Sequence, residues 1–272
     1  MGQKIVRQLL PALPQMKWPA NPHATPLGAQ MFAAALREAD NFADDREPRP
    51  LATALRALQT GDSRPYAYAG IAYVLITASR ENAGSHHQPG LDAALQWIEK
   101  AQEMEPDLID INVLEGFVYI YSDRLADARL ILDYLANLDP HHPLLLRAEI
   151  AYWAQQQDIP QTVRAFHTLM DQTNTGLLRM ALNTQLADFY ASVGEWDKAI
   201  AVYQKSAGIQ QEDARLWHKL SLAYLATDNL DAAETANDRA LSLANLAAAK
   251  ETQEEIRARK RNTGFLRNLL NR

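Results

Sequence analysis

The amino-acid sequence repeats with a period of 34 residues. Three pairs of like residues lie 34 positions apart: Leu186 and Leu220, Tyr190 and Tyr224, Ala199 and Ala233. In the same frame, with three extra residues at 173–175, Trp153 and Tyr119 take the position of Tyr190. A period of this length is typical of helical hairpins that bury their apolar faces against neighbouring hairpins. The sequence therefore predicts an all-α fold, an α-solenoid of stacked antiparallel helix pairs.

The repeat frame also predicts how the chain is organised. Repeats cover residues 63–247, as segments 63–108, 109–142, 143–176, 180–213 and 214–247. The first of them fits the period only if residues 79–90 form an inserted loop between its two helices. We expect residues 27–62 to form a degenerate capping helix pair, after a basic N-terminal segment at 1–26. Residues 248–272 are predicted to be a capping helix with a basic amphipathic tail.

The repeats resemble the tetratricopeptide repeat family. Segment 180–213 has the expected large, small and aromatic residues at Leu186, Ala187, Tyr190, Gly194, Ala199 and Tyr203. Segment 214–247 matches at Trp217, Leu220, Ser221, Tyr224, Ala233 and Ala240, whereas segment 143–176 keeps little beyond Trp153 and Phe166. The resemblance implies a right-handed solenoid in which the first helix of each pair lines an inner, concave face.

In that family the concave face holds a segment of a partner protein. The resemblance places ten candidate partner-binding residues there: Ile71, Val74, Val113, Phe117, Ile120, Tyr121, Arg147, Asp188, Arg215 and His218. The first six are apolar or aromatic, which favours an apolar or amphipathic partner segment. The Lys and Asn residues by which one subgroup grips a terminal carboxylate are missing. The alternative is that the chain's own helices cover these side chains.

The two ends of the chain share a short amphipathic pattern. IVRQLL at 5–10 and FLRNLL at 265–270 each place apolar residues one helical turn apart beside an arginine. Such short turns are not stable alone and must dock on another surface. For the C-terminal one, the candidate residues for docking or membrane contact are Phe265, Leu266, Arg267, Leu269 and Leu270. The array itself, a second copy, a partner and a membrane surface remain open as the docking site.

Charge and composition narrow the class of partner. The net charge is -6, but residues 256–272 contain six basic residues and no acid. Because the body between the basic ends is acidic, we expect no nucleic acid to bind along it. The chain has no cysteine, which excludes disulfides and thiol chemistry and is compatible with a cytoplasmic location.

No motif for catalysis, metal or cofactor binding is evident. The pairs His86–His87 and His141–His142 lack a third ligand at a suitable spacing, and no phosphate-binding or nucleophile motif occurs. We therefore expect a non-enzymatic interaction scaffold or adaptor without a cofactor, its partner another protein. The alternative is an assembly or maturation factor held peripherally at a membrane by its basic ends.

Overall fold

The chain folds into α-helices that pair along the sequence. The computed structural model describes residues 2–45, 48–81 and 85–270, and the side chains at 3–41, 49–81 and 85–262. The described residues contain fourteen α-helices: α1 (Gly2–Ala12), α2 (Pro26–Asp45), α3 (Pro48–Thr60), α4 (Arg64–Ala78), α5 (Gln88–Gln102), α6 (Ile109–Tyr121), α7 (Leu125–Leu138), α8 (Pro143–Gln155), α9 (Ile159–Gln172), α10 (Gly176–Ser192), α11 (Trp196–Ile209), α12 (Ala214–Ala226), α13 (Leu230–Leu243) and α14 (Ala247–Leu270). They form two compact units, unit 1 (Met1–Ala165) and unit 2 (Phe166–Arg272). None of the described helices is both long enough and apolar enough to cross a membrane.

Unit 1 is built around α4. The sequence of this helix, RPYAYAGIAYVLITA, is apolar on all sides, and twelve of its fifteen side chains are buried. A helix without a polar face is stable only when other elements surround it. Helices α1, α2, α3, α5 and α6 all pack against α4. Helices α2 and α3 lie in the segment predicted to be a capping pair, and both pack on α4.

The N-terminal segment docks inside unit 1. Ile5 and Val6 of α1 are buried, and α1 packs against α4 and α5. The chain that follows is held by Arg64, whose Nε and Nη2 donate to the carbonyls of Pro19 and Ala20 at 3.0 and 2.7 Å. The N-terminal turn therefore docks on helices of its own chain, which is one of the docking sites that its sequence left open.

The inserted loop is shorter than the repeat frame predicts. Helix α5 begins at Gln88, so residues 88–90 belong to its first turn and the loop covers 79–87. Its described ends are paired: the His87 amide donates to the Ser79 carbonyl at 2.7 Å, and the Glu81 amide donates to Ser85 at 2.8 Å. The backbone pairing in these ends positions His86 over α6.

Unit 2 contains two further hairpins and a closing helix. Its core includes small residues at the helix crossings, with Ala187, Ala199 and Ala236 all buried beside Tyr203. Helix α14 packs on the last hairpin through Ile256, and the buried Asn237 side-chain amide donates to the Ala249 carbonyl at 2.8 Å. The basic side of α14 also forms ion pairs, since Lys260 Nζ lies 2.6 Å from both Asp231 and Glu234. Whether this helix caps the array stays a prediction.

Helices α2 and α4 approach each other closely at Gly28. A Cβ added to this glycine would lie 2.2 Å from the Cβ of Ser63, which is fixed to the backbone and cannot rotate away. Ser63 is itself buried. The crossing therefore depends on the absence of a side chain at position 28.

We predict that Gly28→Ala lowers the free energy of unfolding by about 1 to 3 kcal/mol through overpacking. Gly208→Ala is the matched control, because a Cβ there meets no atom within 4 Å. Alanine is the better helix former, so the control should gain up to about 1 kcal/mol. Urea denaturation of both variants measures the difference. Equal stability of the two variants would contradict the close approach at Gly28.

Candidate partner-binding surface

The structure buries most of the inner-face residues predicted in unit 1. Five of them are at most 5% exposed: Ile71, Val74, Val113, Phe117 and Ile120. Their side chains belong to the core of unit 1, so the apolar surface expected at these positions is not accessible. The burial of these five residues corrects the expectation of an open apolar face. It agrees with the alternative that the chain's own helices cover them. Whether the surrounding surface binds a partner stays a prediction.

A polar contact joins α2 and α8 near these buried residues. Arg147 Nη2 donates to Asp40 Oδ2 at 2.8 Å and to the Tyr73 hydroxyl at 3.0 Å. The Tyr73 hydroxyl donates in turn to Asp40 Oδ1 at 2.6 Å. We call these three residues the inner clasp. It joins residues 107 positions apart and draws the first and fourth inner helices of unit 1 together over α4 and α6.

Tyr73 and Arg147 of the inner clasp keep their protonation states at neutral pH. Burial, with a smaller contribution from Asp40, raises the pKa of Tyr73 well above its ordinary value, although Arg147 opposes the shift. Burial lowers the pKa of Arg147, but the neighbouring Tyr73 and Asp40 outweigh it, so the net shift is upward. Tyr73 therefore remains a hydrogen-bond donor and Arg147 remains a cation. The side chains of Arg147 and Asp40 are still 30% and 33% exposed, so the clasp reaches the surface.

Aromatic rings continue from the inner clasp towards the inserted loop. The ring of Tyr73 lies 6.3 Å from that of Phe117, and Phe117 lies 6.0 Å from Tyr121. His86 stacks on Tyr121 with ring centroids 4.0 Å apart and an angle of 14° between the planes. The inserted loop thus covers part of the inner face. Tyr121 remains partly exposed, and burial raises its pKa against the opposing effect of Arg80 and Arg147.

The inner face of unit 2 is open by comparison. Asp188 on α10 accepts from the Tyr203 hydroxyl at 2.5 Å and from Lys219 Nζ at 2.7 Å. Arg215 on α12 is exposed, and His218 is partly exposed. The His218 Nε2 atom lies 3.0 Å from the Thr252 hydroxyl of α14, and burial lowers the pKa of His218. This surface therefore presents acidic, basic and neutral side chains together.

Sequence reasoning missed one inner-face residue of unit 2. Leu222 is 41% exposed and lies one helical turn after His218 on α12. Leu222 occupies the ninth position of segment 214–247, which is one of the inner positions of the repeat. The repeat frame could therefore have identified it. It adds an apolar centre to an otherwise polar surface.

The remaining candidate sites are less defined. Phe265, Leu266, Arg267, Leu269 and Leu270 lie in the last turns of α14, and their side chains fall outside the described residues. Their docking stays a prediction. Within the described ranges, no three His, Asp or Glu side chains converge in a way that could hold a metal ion.

Comparison with known proteins identifies the fold. Residues 214–245 match the family model described as tetratricopeptide repeat. A tetratricopeptide repeat protein from Parabacteroides merdae is similar in structure, with a TM-score of 0.51 and 14% identity over 85% of this chain and 87% of that one. A chain of the APC/C hetero-tetramer Cut9–Hcn1 gives a TM-score of 0.55 and 16% identity over 85% of this chain. The match covers 48% of that chain, so the present chain spans about half its length.

A search of curated protein sequences found no match. The resemblance to the tetratricopeptide repeat family and the all-helical fold class are nevertheless confirmed, by the matched repeat and by the structural neighbours. The chain has the fold of a tetratricopeptide repeat protein.

We predict that Arg147→Met lowers the free energy of unfolding by about 1 to 2 kcal/mol, since it removes charge-assisted hydrogen bonds from a partly exposed site. Arg37→Met is the control, because Arg37 is exposed on α2 and surface changes usually stay within about 0.5 kcal/mol. Hydrogen exchange locates the effect: amides of α2 and α8 should exchange faster in Arg147→Met alone. Unchanged exchange in both helices would show that the inner clasp does not hold them together.

Proposed function

We propose that this chain is a non-enzymatic interaction scaffold that binds a segment of another protein on the inner face of its helical hairpins. The proposal is supported by the repeat fold, whose first helices present side chains on one face of each unit. Fold alone does not determine function, so the proposal depends on which of those side chains a partner could reach.

The observation that carries the proposal is the open inner face of unit 2. Arg215 and Leu222 are exposed there, beside the ion pair of Asp188 with Lys219. One apolar side chain with charges of both signs around it suits a short amphipathic segment, which buries its apolar side and pairs its polar side. In unit 1, Tyr121 and Arg147 are the predicted residues that remain partly exposed.

We propose the C-terminal end as the membrane contact of the alternative function. The apolar residues Ile5 and Val6 of the N-terminal turn are buried within unit 1. The C-terminal end has six basic residues, of which Arg257, Arg259 and Lys260 form ion pairs with acidic side chains of the same chain. A basic residue near an anionic surface contributes about 1 kcal/mol. Sedimentation with anionic vesicles, comparing the full chain with a chain lacking residues 263–272, separates this function from protein binding.

Affinity capture from the source organism tests the scaffold function. We expect the double variant Arg215→Glu and Leu222→Glu to capture at least about tenfold less of a specifically bound protein than the unchanged chain does. The variant replaces the apolar side chain at the centre of the surface and inverts a charge. The matched control is Lys205→Glu with Ile209→Glu, which makes the same kind of change at exposed positions of α11. Equal capture by the inner-face variant and the control would exclude the inner face of unit 2 as the binding surface.

A further inference from the structure

The outer surface of α7 carries an apolar stripe that the fold does not use. Leu130, Tyr134 and Leu138 are 71%, 59% and 52% exposed, and they follow one another at intervals of four residues. The opposite side of the same helix is the one that packs into unit 1, through the buried Ala128, Leu132 and Leu135. Large apolar side chains in a contiguous row are uncommon on a surface without a binding role. We call this row the α7 stripe.

We propose that the α7 stripe pairs with the same stripe of a second copy of this chain, with the two α7 helices antiparallel about a two-fold axis at Tyr134. The spacing favours this occupant. A two-fold interface brings the same patch of both copies together, so the patch must complement itself. Leu130 and Leu138 are equally distant from Tyr134, so reversing the helix places leucine opposite leucine and tyrosine opposite tyrosine.

The charges beside the α7 stripe also permit two copies to meet. Each aspartate next to it has an arginine partner in its own chain: Asp127 lies 2.7 Å from Arg124, and Asp133 lies 2.6 Å from Arg129. Unpaired charge of one sign would repel an identical surface, whereas local ion pairs reduce that repulsion. Such local ion pairs offer little attraction to a strongly charged partner segment.

The size of the α7 stripe predicts a weak dimer. A row of three side chains with its flanking residues buries less than the roughly 1,200 Å² of total surface typical of stable complexes. We therefore expect monomer and dimer to exchange, with a dissociation constant on the order of micromolar or weaker. The stripe lies on α7, and the inner-face residues of unit 2 lie on α10 and α12, so either proposal can fail while the other holds.

Sedimentation velocity over a range of concentrations tests the association. Tyr134→Glu would place two carboxylates against each other at the two-fold axis, so we expect the dissociation constant to rise at least about tenfold. Ile209→Glu is the control, because Ile209 is an apolar residue of α11 that is 62% exposed, and its dimerisation should match that of the unchanged chain. Circular dichroism verifies that both variants remain folded.

Cysteine cross-linking tests the antiparallel arrangement, since the chain contains no cysteine of its own. Tyr134→Cys should form an interchain disulfide under mild oxidation, because the two residues at the axis come within disulfide distance. Leu130→Cys alone should link slowly, but a mixture of Leu130→Cys and Leu138→Cys should link as fast as Tyr134→Cys. Ile209→Cys gives the background rate from random collision.

Two results would overturn the proposal. The first is a chain that stays monomeric at every concentration, with Tyr134→Cys linking no faster than Ile209→Cys; the α7 stripe would then be a surface for a different protein. The second is a Leu130→Cys variant that links as fast as Tyr134→Cys, which would mean a parallel or irregular association.

Discussion

The stability of unit 1 depends on the burial of α4, a helix that has no polar side that could face solvent. Most helices in a repeat fold bury one stripe and expose another, and each hairpin then needs only its neighbours. Helix α4 has to be enclosed on every side, and this explains why elements outside the repeats, α1 to α3, are packed around it. Gly28 contributes to this packing, because it allows α2 to approach Ser63, the residue before α4, closely.

The inner clasp joins two helices at the inner face of unit 1. In a stack of hairpins the inner face is a groove if the first helices diverge and a packed interior if they converge. Asp40 and Arg147 come from the two ends of unit 1, so their contact at 2.8 Å is evidence of convergence. The apolar residues between them then become core, and their hydrophobic character stabilises the unit instead of serving a partner.

The sequence predicts the hairpins well and their accessibility poorly. The 34-residue period located the helix pairs, because the pattern of small and aromatic residues within each hairpin is local. It could not reveal that Phe117 is buried, since burial depends on contacts between residues far apart in the sequence, such as that of Arg147 with Asp40 across 107 residues. It also missed the α7 stripe, because Leu130, Tyr134 and Leu138 show the periodicity of a core-facing row. Only the packing of Leu132 and Leu135 into unit 1 shows which side of α7 faces solvent.

The two units therefore differ in how they expose apolar surface. Unit 1 buries most of its predicted inner-face residues and carries the exposed row Leu130, Tyr134 and Leu138 on α7, whereas unit 2 has Leu222 exposed on its inner face. A closed inner face is unsuited to receiving an extended segment, because a partner would first have to separate Asp40 from Arg147 and expose a packed core. Binding at such a face would cost the lost packing, while binding at Leu222 requires only the removal of water from an already exposed surface. This difference in cost is the reason that we propose unit 2, and not the inner face of unit 1, for the recognition of a partner segment.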